Sequence, residues 1–222
     1  MKNHVSTKTL LLAAAFAFGL GSAAMAADDT TPPAPVAKAP PAQTDNGHGL
    51  LGQNYAGLSY GYLDLHGTSV SARGYGFTIN QNLSESFDAL LEYTDQNSSK
   101  LAGGRINQRM FDLGVRAFTT TRGFKPYVEA GLGWEWAKAP LGYKANSPAY
   151  FVGTGVEFQV AHDLSVTPFV RYTDATKHSI GHEVDYGVKA NYWLSEHVGL
   201  TAAISRDNSR DMQYSLGVSF RY

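Results

Sequence analysis

The chain has 222 residues, 18 of them Lys or Arg and 19 Asp or Glu, for a net charge of −1, with 43% hydrophobic and 12% aromatic side chains. That length suits one domain of up to about 200 residues, and so balanced a charge leaves no footprint for nucleic acid. Cysteine is absent, which excludes a disulfide framework and any thiolate metal site.

Residues 1–26 read as a signal peptide: Lys2 and Lys8 precede an apolar core from Leu10 to Leu20, and Ala24-Met25-Ala26 fits a signal peptidase site. Cleavage there removes two lysines and moves the net charge from −1 to −3. Beyond it no stretch of about 18 apolar residues occurs, so a helical span is excluded for the mature protein. Residues 27–48 carry Pro32, Pro33, Pro35, Pro40 and Pro41 among Ala, Thr and Asp. Such a segment has little apolar surface to bury, and reads as a disordered periplasmic spacer.

From residue 49 onward, side chains alternate between two kinds. The first run sets Ala56, Leu58, Tyr60 and Tyr62 against Gly57, Ser59 and Gly61; the second sets Tyr75, Phe77 and Ile79 against Gly74, Gly76 and Thr78. In the third, Phe87, Ala89, Leu91 and Tyr93 oppose Asp88, Leu90, Glu92 and Thr94, and in the fourth Phe111, Leu113 and Val115 oppose Asp112, Gly114 and Arg116. The fifth places Val128, Ala130, Leu132, Trp134 and Trp136 opposite Glu129, Gly131, Gly133 and Glu135. A loop over 138–148, marked by Pro140 and Pro148, separates it from a sixth run with Val152, Val156 and Phe158 against Gly153, Gly155 and Glu157. Pro168 blemishes the seventh, which carries Arg171, because it removes a ladder donor. The eighth carries Asp185 and Lys189 on its polar side, the ninth is Val198, Leu200, Ala202 and Ile204, and the tenth alternates Tyr214, Leu216, Val218, Phe220 and Tyr222 with Ser215, Gly217, Ser219 and Arg221.

A period of two maintained through ten runs is that of strands whose faces meet different environments. Residues 49–222 allow about 17 residues per strand and connection, enough for ten bilayer-crossing strands; eight strands is the alternative if one hairpin is misread. A soluble secreted β-barrel would show the same alternation. Three features favour apolar residues facing outward to lipid. Glycine crowds the polar face, where backbones converge on a narrow lumen; Tyr and Trp stand near run ends as an interface girdle does; and charges of both signs share mid-strand positions. The fold expected is therefore all-β, a closed antiparallel transmembrane β-barrel over 49–222. On this assignment Leu132→Arg cripples assembly, and Gly131→Ser is the milder change.

The stretches Tyr55-Ala56-Gly57-Leu58-Ser59-Tyr60-Gly61-Tyr62 and Lys125-Pro126-Tyr127-Val128-Glu129-Ala130-Gly131-Leu132-Gly133, with the closing Phe220-Arg221-Tyr222, resemble the porin-like outer-membrane β-barrel family of Gram-negative bacteria. The resemblance covers 50–222. It implies a bacterial outer-membrane location, insertion by the barrel-assembly machinery through a signal formed by Tyr214, Leu216, Val218, Phe220 and Tyr222, and for most members no assigned reaction. The final Tyr departs from the commoner Phe.

With the apolar set outward, Asp88, Glu92, Asp112, Glu129, Glu135, Glu157 and Asp185 face the lumen beside Arg116, Arg171, Lys189 and Arg221. They read either as an ion-pair network filling the barrel or as the lining of a narrow, mildly cation-preferring pore. At the far rim Asp64, His66, Asp95, Asp174, His178 and His182 raise a rival, a rim-active hydrolase. Protease motifs are not recognisable, the metal-ligand spacing of Asp174, His178 and His182 is loose, and His182 with Ser179 offers a deacylase composition without a motif. The expectation is a monomer without catalysis, metal or cofactor, in contact with outer-membrane lipids and lipopolysaccharide, with structural, surface-interaction or narrow-pore roles open.

Overall fold

The computed structural model describes residues 49–99, 104–121, 123–140, 144–176 and 182–222. The expected leader and spacer (1–48), together with His178 and Ser179, lie outside these residues.

Ten strands follow one another: β1 (Tyr55–Asp64), β2 (Ser71–Ser84), β3 (Phe87–Ser98), β4 (Asn107–Phe118), β5 (Phe124–Lys138), β6 (Lys144–Ala161), β7 (Leu164–Ala175), β8 (His182–Trp193), β9 (Val198–Arg206) and β10 (Met212–Arg221). Each pairs antiparallel with its sequence neighbour, and β10 closes on β1 from Tyr55↔Arg221 to Asp64↔Met212. Closure leaves no edge, so backbone groups that lipid tails would strand are paired along the wall. The count is ten, not eight. The start of β1 and the end of β10 lie at the turn end, where β2 meets β3, β4 meets β5, β6 meets β7 and β8 meets β9; the other, loop end is where β1 meets β2, β3 meets β4, β5 meets β6, β7 meets β8 and β9 meets β10.

The alternation sorts as the apolar faces require. Leu58, Leu113, Leu132, Val152, Val170, Leu200 and Leu216 stand exposed around the middle of the outer wall, Leu132 at 72%. Aromatic side chains band both ends of that apolar zone. At the loop end Tyr62 lies 6.5 Å from Tyr214, Trp134 lies 6.4 Å from Trp136, and Tyr150 lies 6.2 Å from Tyr172. At the turn end Phe124 lies 6.4 Å from Phe158, with Phe87, Tyr192, Phe220 and Tyr222 exposed at the same level. More than half of the buried residues are polar, with Asn80, Asp88, Asp112, Arg116, Glu129, Glu157 and Asn191 inside. A soluble barrel has the opposite sorting.

Two sequence expectations change, and the blemish expected of Pro168 is present. The loop over 138–148 is mostly strand, because β5 runs to Lys138 and β6 begins at Lys144. Pro148 is tolerated because its carbonyl accepts the Thr176 amide at 2.9 Å, so its missing N–H faces the side where β7 has just ended. Pro168 does have an effect: β6–β7 pairing lapses between Gly155↔Phe169 and Phe158↔Val166, the gap that Pro168 spans. Finally, Gly131 is not a roomy position. A Cβ there would meet the Leu113 carbonyl oxygen at 2.4 Å and the Phe151 ring at 2.5 Å, so Gly131→Ser is not mild.

Candidate functional site

The lumen is built in three levels. At the turn end, residues 49–54 enter the barrel ahead of β1 and fill it. Leu51, 2% exposed, clusters with Phe118 and Tyr127, while Leu50 clusters with Tyr55 and Trp193. Parity dictates this lining, since Tyr55, Phe118, Tyr127 and Trp193 all fall on the inward side of their strands.

The same short segment would strand its own amides in that apolar filling, and lumen carboxylates take them. The Leu50 amide donates to Glu157 Oε2 at 2.7 Å, the Leu51 amide to Glu157 Oε1 at 3.4 Å, and the Gly52 amide to Asp88 Oδ2 at 3.0 Å. Its carbonyls are met in turn: Arg221 Nη2 donates to Gly49 O at 3.1 Å, Lys125 Nζ to Leu51 O at 3.3 Å, and Asn80 Nδ2 to Gln53 O at 2.8 Å. Two glycines make the fit. A Cβ on Gly49 would sit 1.9 Å from Glu157 Oε1, and Gly52 turns the chain with φ of 78°.

Above this plug lies a layer of ion pairs. Arg171 on β7 reaches across the lumen to Glu92 on β3, at 2.5 Å, and to Asp112 on β4. Arg116 pairs with Glu129 at 2.7 Å, both nearly inaccessible. Each of three arginines also lies against an inward aromatic ring: Arg171 3.9 Å from the Phe151 centroid, Arg116 4.8 Å from Tyr127, and Arg221 3.7 Å from Trp193. A weakly hydrated, planar guanidinium suits such a stack better than an ammonium. Lys189 faces the same space and makes no hydrogen bond to the described residues.

A lumen cavity of about 440 Å³ runs from Leu50 at the plug, past the ion-pair layer, to Asp211 at the loop end. Its wall includes Glu135 and Asp185, with Glu183, Asp207 and Asp211 besides. The eleven charges expected in the lumen thus divide. Asp88, Glu157 and Arg221 hold the plug; Glu92, Asp112, Arg116, Glu129 and Arg171 form the ion-pair layer; Glu135, Asp185 and Lys189 line the cavity. The plug was missed, although Leu50-Leu51 between Gly49 and Gly52 breaks the alternation that follows. Glu183 was missed as a lumen acid, although it shares parity with Asp185.

The rim residues do not converge. Asp64 and Asp95 are on the outer face, Asp95 ion-paired with Arg109 at 2.8 Å. Asp174 accepts hydrogen bonds from the Tyr150 and Tyr172 hydroxyls at 2.9 and 3.2 Å, and His182 lies opposite it in register, 6.2 Å from the Tyr172 ring. Among the described residues no three His, Asp or Glu side chains group as metal ligands.

A closed antiparallel barrel, apolar outside and charged within, is a transmembrane β-barrel, and the fold is that of the outer-membrane barrels. The chain superposes on an outer membrane channel from Pseudomonas putida F1 with a TM-score of 0.51 and 9% identity, over 78% of this chain and 97% of that one. The translocator domain of the autotransporter NalP from Neisseria meningitidis gives a TM-score of 0.49 and 12% identity, over 80% and 91%. The NanC porin gives 0.48 and 10%, over 75% and 100%. No protein-family model matches the sequence, and no curated protein matches it.

Proposed function

We propose that the protein is a monomeric outer-membrane barrel with a structural and surface-interaction role, closed to ions in its resting state. The plug carries this reading. Two buried leucines fill the turn end while Glu157 and Asp88 bind the amides of the segment that bears them. A displaced plug would strip Glu157 of both backbone donors and leave Asp88 with its bond from the Asn82 side chain, at about 1–3 kcal/mol for each lost donor. Ion pairs cross the level above and narrow the cavity that passes it.

The termini and short turns face the periplasm and the longer connections face outward, as is usual for barrels with this division of lengths. β10 is the strand through which the barrel-assembly machinery inserts the chain, with Tyr214, Leu216, Val218, Phe220 and Tyr222 all on its lipid side. The surrounding partners are outer-membrane phospholipid and lipopolysaccharide. No cofactor or nucleic acid takes part. The protein is not an enzyme: the strongest rim candidate, Asp174, is engaged by two tyrosine hydroxyls.

A narrow pore is the second reading, favoured by the cavity of about 440 Å³ that opens upward from the plug. Planar-bilayer recording of refolded protein separates the two. The closed reading expects no stable unit conductance; reproducible, salt-dependent channels from the unaltered protein would overturn it in favour of the pore.

A further inference from the structure

The outer faces of the ten strands carry no ionised side chain in their turn-end halves; every outward charge stands at the loop end. Some of these are matched, Arg109 by Asp95 and Asp174 by its two tyrosines. Lys138 and Lys144 are not. They are exposed and directly opposed across β5 and β6, and neither has a hydrogen bond or ion pair among the described residues. Like charges facing each other across a strand pair repel. The arrangement therefore stores a demand for an anion.

Their height says which anion. Lys138 is two residues beyond Trp136, about 6–7 Å along the strand at roughly 3.3 Å per residue, and Trp136 with Trp134 marks the upper edge of the apolar zone. Two ammonium groups one step outside an aromatic girdle stand at headgroup level. Arg109, in register with Trp136, is also near but is already paired with Asp95, which leaves the two lysines as the unmatched cations.

We propose that Lys138 and Lys144 form a binding site for the phosphate of a lipid headgroup, whose acyl chains run down the wall past Trp134 and Leu132. The site belongs to the leaflet that the loops face. It deepens the orientation given above, but its test in detergent does not depend on which leaflet that is, so the two fail separately.

The test uses refolded protein in neutral detergent, titrated with phosphorylated lipid A, with the same lipid stripped of phosphate, and with inorganic phosphate alone, read by native mass spectrometry and Trp fluorescence. Phosphorylated lipid binds and perturbs the fluorescence. Lys138→Gln with Lys144→Gln weakens it about thirty-fold, as two interfacial cations at about 1 kcal/mol each imply, and Lys138→Arg with Lys144→Arg retains it. Equal binding by the Gln variant or by dephosphorylated lipid overturns the site. Inorganic phosphate binding as tightly as the lipid overturns the lipid assignment and leaves a free-anion site. Both lysines are exposed, so the variants fold; unchanged heat-dependent gel mobility verifies it.

Discussion

Arg171 is the residue on which the middle of the lumen depends, because one guanidinium separates and bridges carboxylates from two other strands. Arg171→Met leaves Glu92 and Asp112 facing each other, with Asp112 1% exposed. Removing one partner of a buried pair costs about 3–5 kcal/mol, so the urea midpoint of the refolded barrel should fall well below that of Lys189→Met, which breaks no hydrogen bond. Equal midpoints would mean that water in the lumen screens the layer. On the outer wall, Leu132→Arg should cost about 2–4 kcal/mol for a charge at mid-bilayer and reduce the folded band in gel-shift assembly assays. Its neighbour behaves differently from the sequence expectation: Gly131→Ser presses on a carbonyl and on Phe151, and overpacking of that kind costs about 1–3 kcal/mol. The two variants should therefore overlap in severity while failing for opposite reasons.

At the level of elements, the plug predicts a gain of conductance. Leu50→Ser with Leu51→Ser removes the apolar filling, and flickering channels should appear in bilayers where the unaltered protein is silent; silence from this variant would assign the seal to the Arg171 layer alone. The strands were legible because each solvent is uniform along a face: Val128 to Trp136 meets lipid at every second residue, so parity alone orients Glu129 and Glu135. The plug was not legible because six residues show no period, and its partners, Asp88 and Glu157, are far away in sequence. The upper part of β6 was obscured by Pro148, a residue whose cost depends on what its amide would have faced, which only the end point of β7 decides. Likewise, parity reveals that Arg171 points inward but not that it crosses the lumen to β3.

For the molecule as a whole, orientation and insertion are the testable properties. Tyr222→Ser, at an exposed position beyond the last strand, should slow folding by the barrel-assembly machinery severalfold while leaving the unfolding free energy of the finished barrel within about 0.5 kcal/mol of the original, as surface changes usually do. A matched loss of stability would instead make the Tyr222 side chain part of the folded wall's support, through its hydroxyl's hydrogen bond to Gln81.

The groups that hold residues 49–54 come from β2, β3, β5, β6 and β10. No subset of early strands offers that complete set, and Arg221 reaches its place only when the last strand meets the first. Although this stretch precedes every described strand, its full set of partners exists only once β10 has met β1, so complete docking of Leu50 and Leu51 cannot come before the ring is whole.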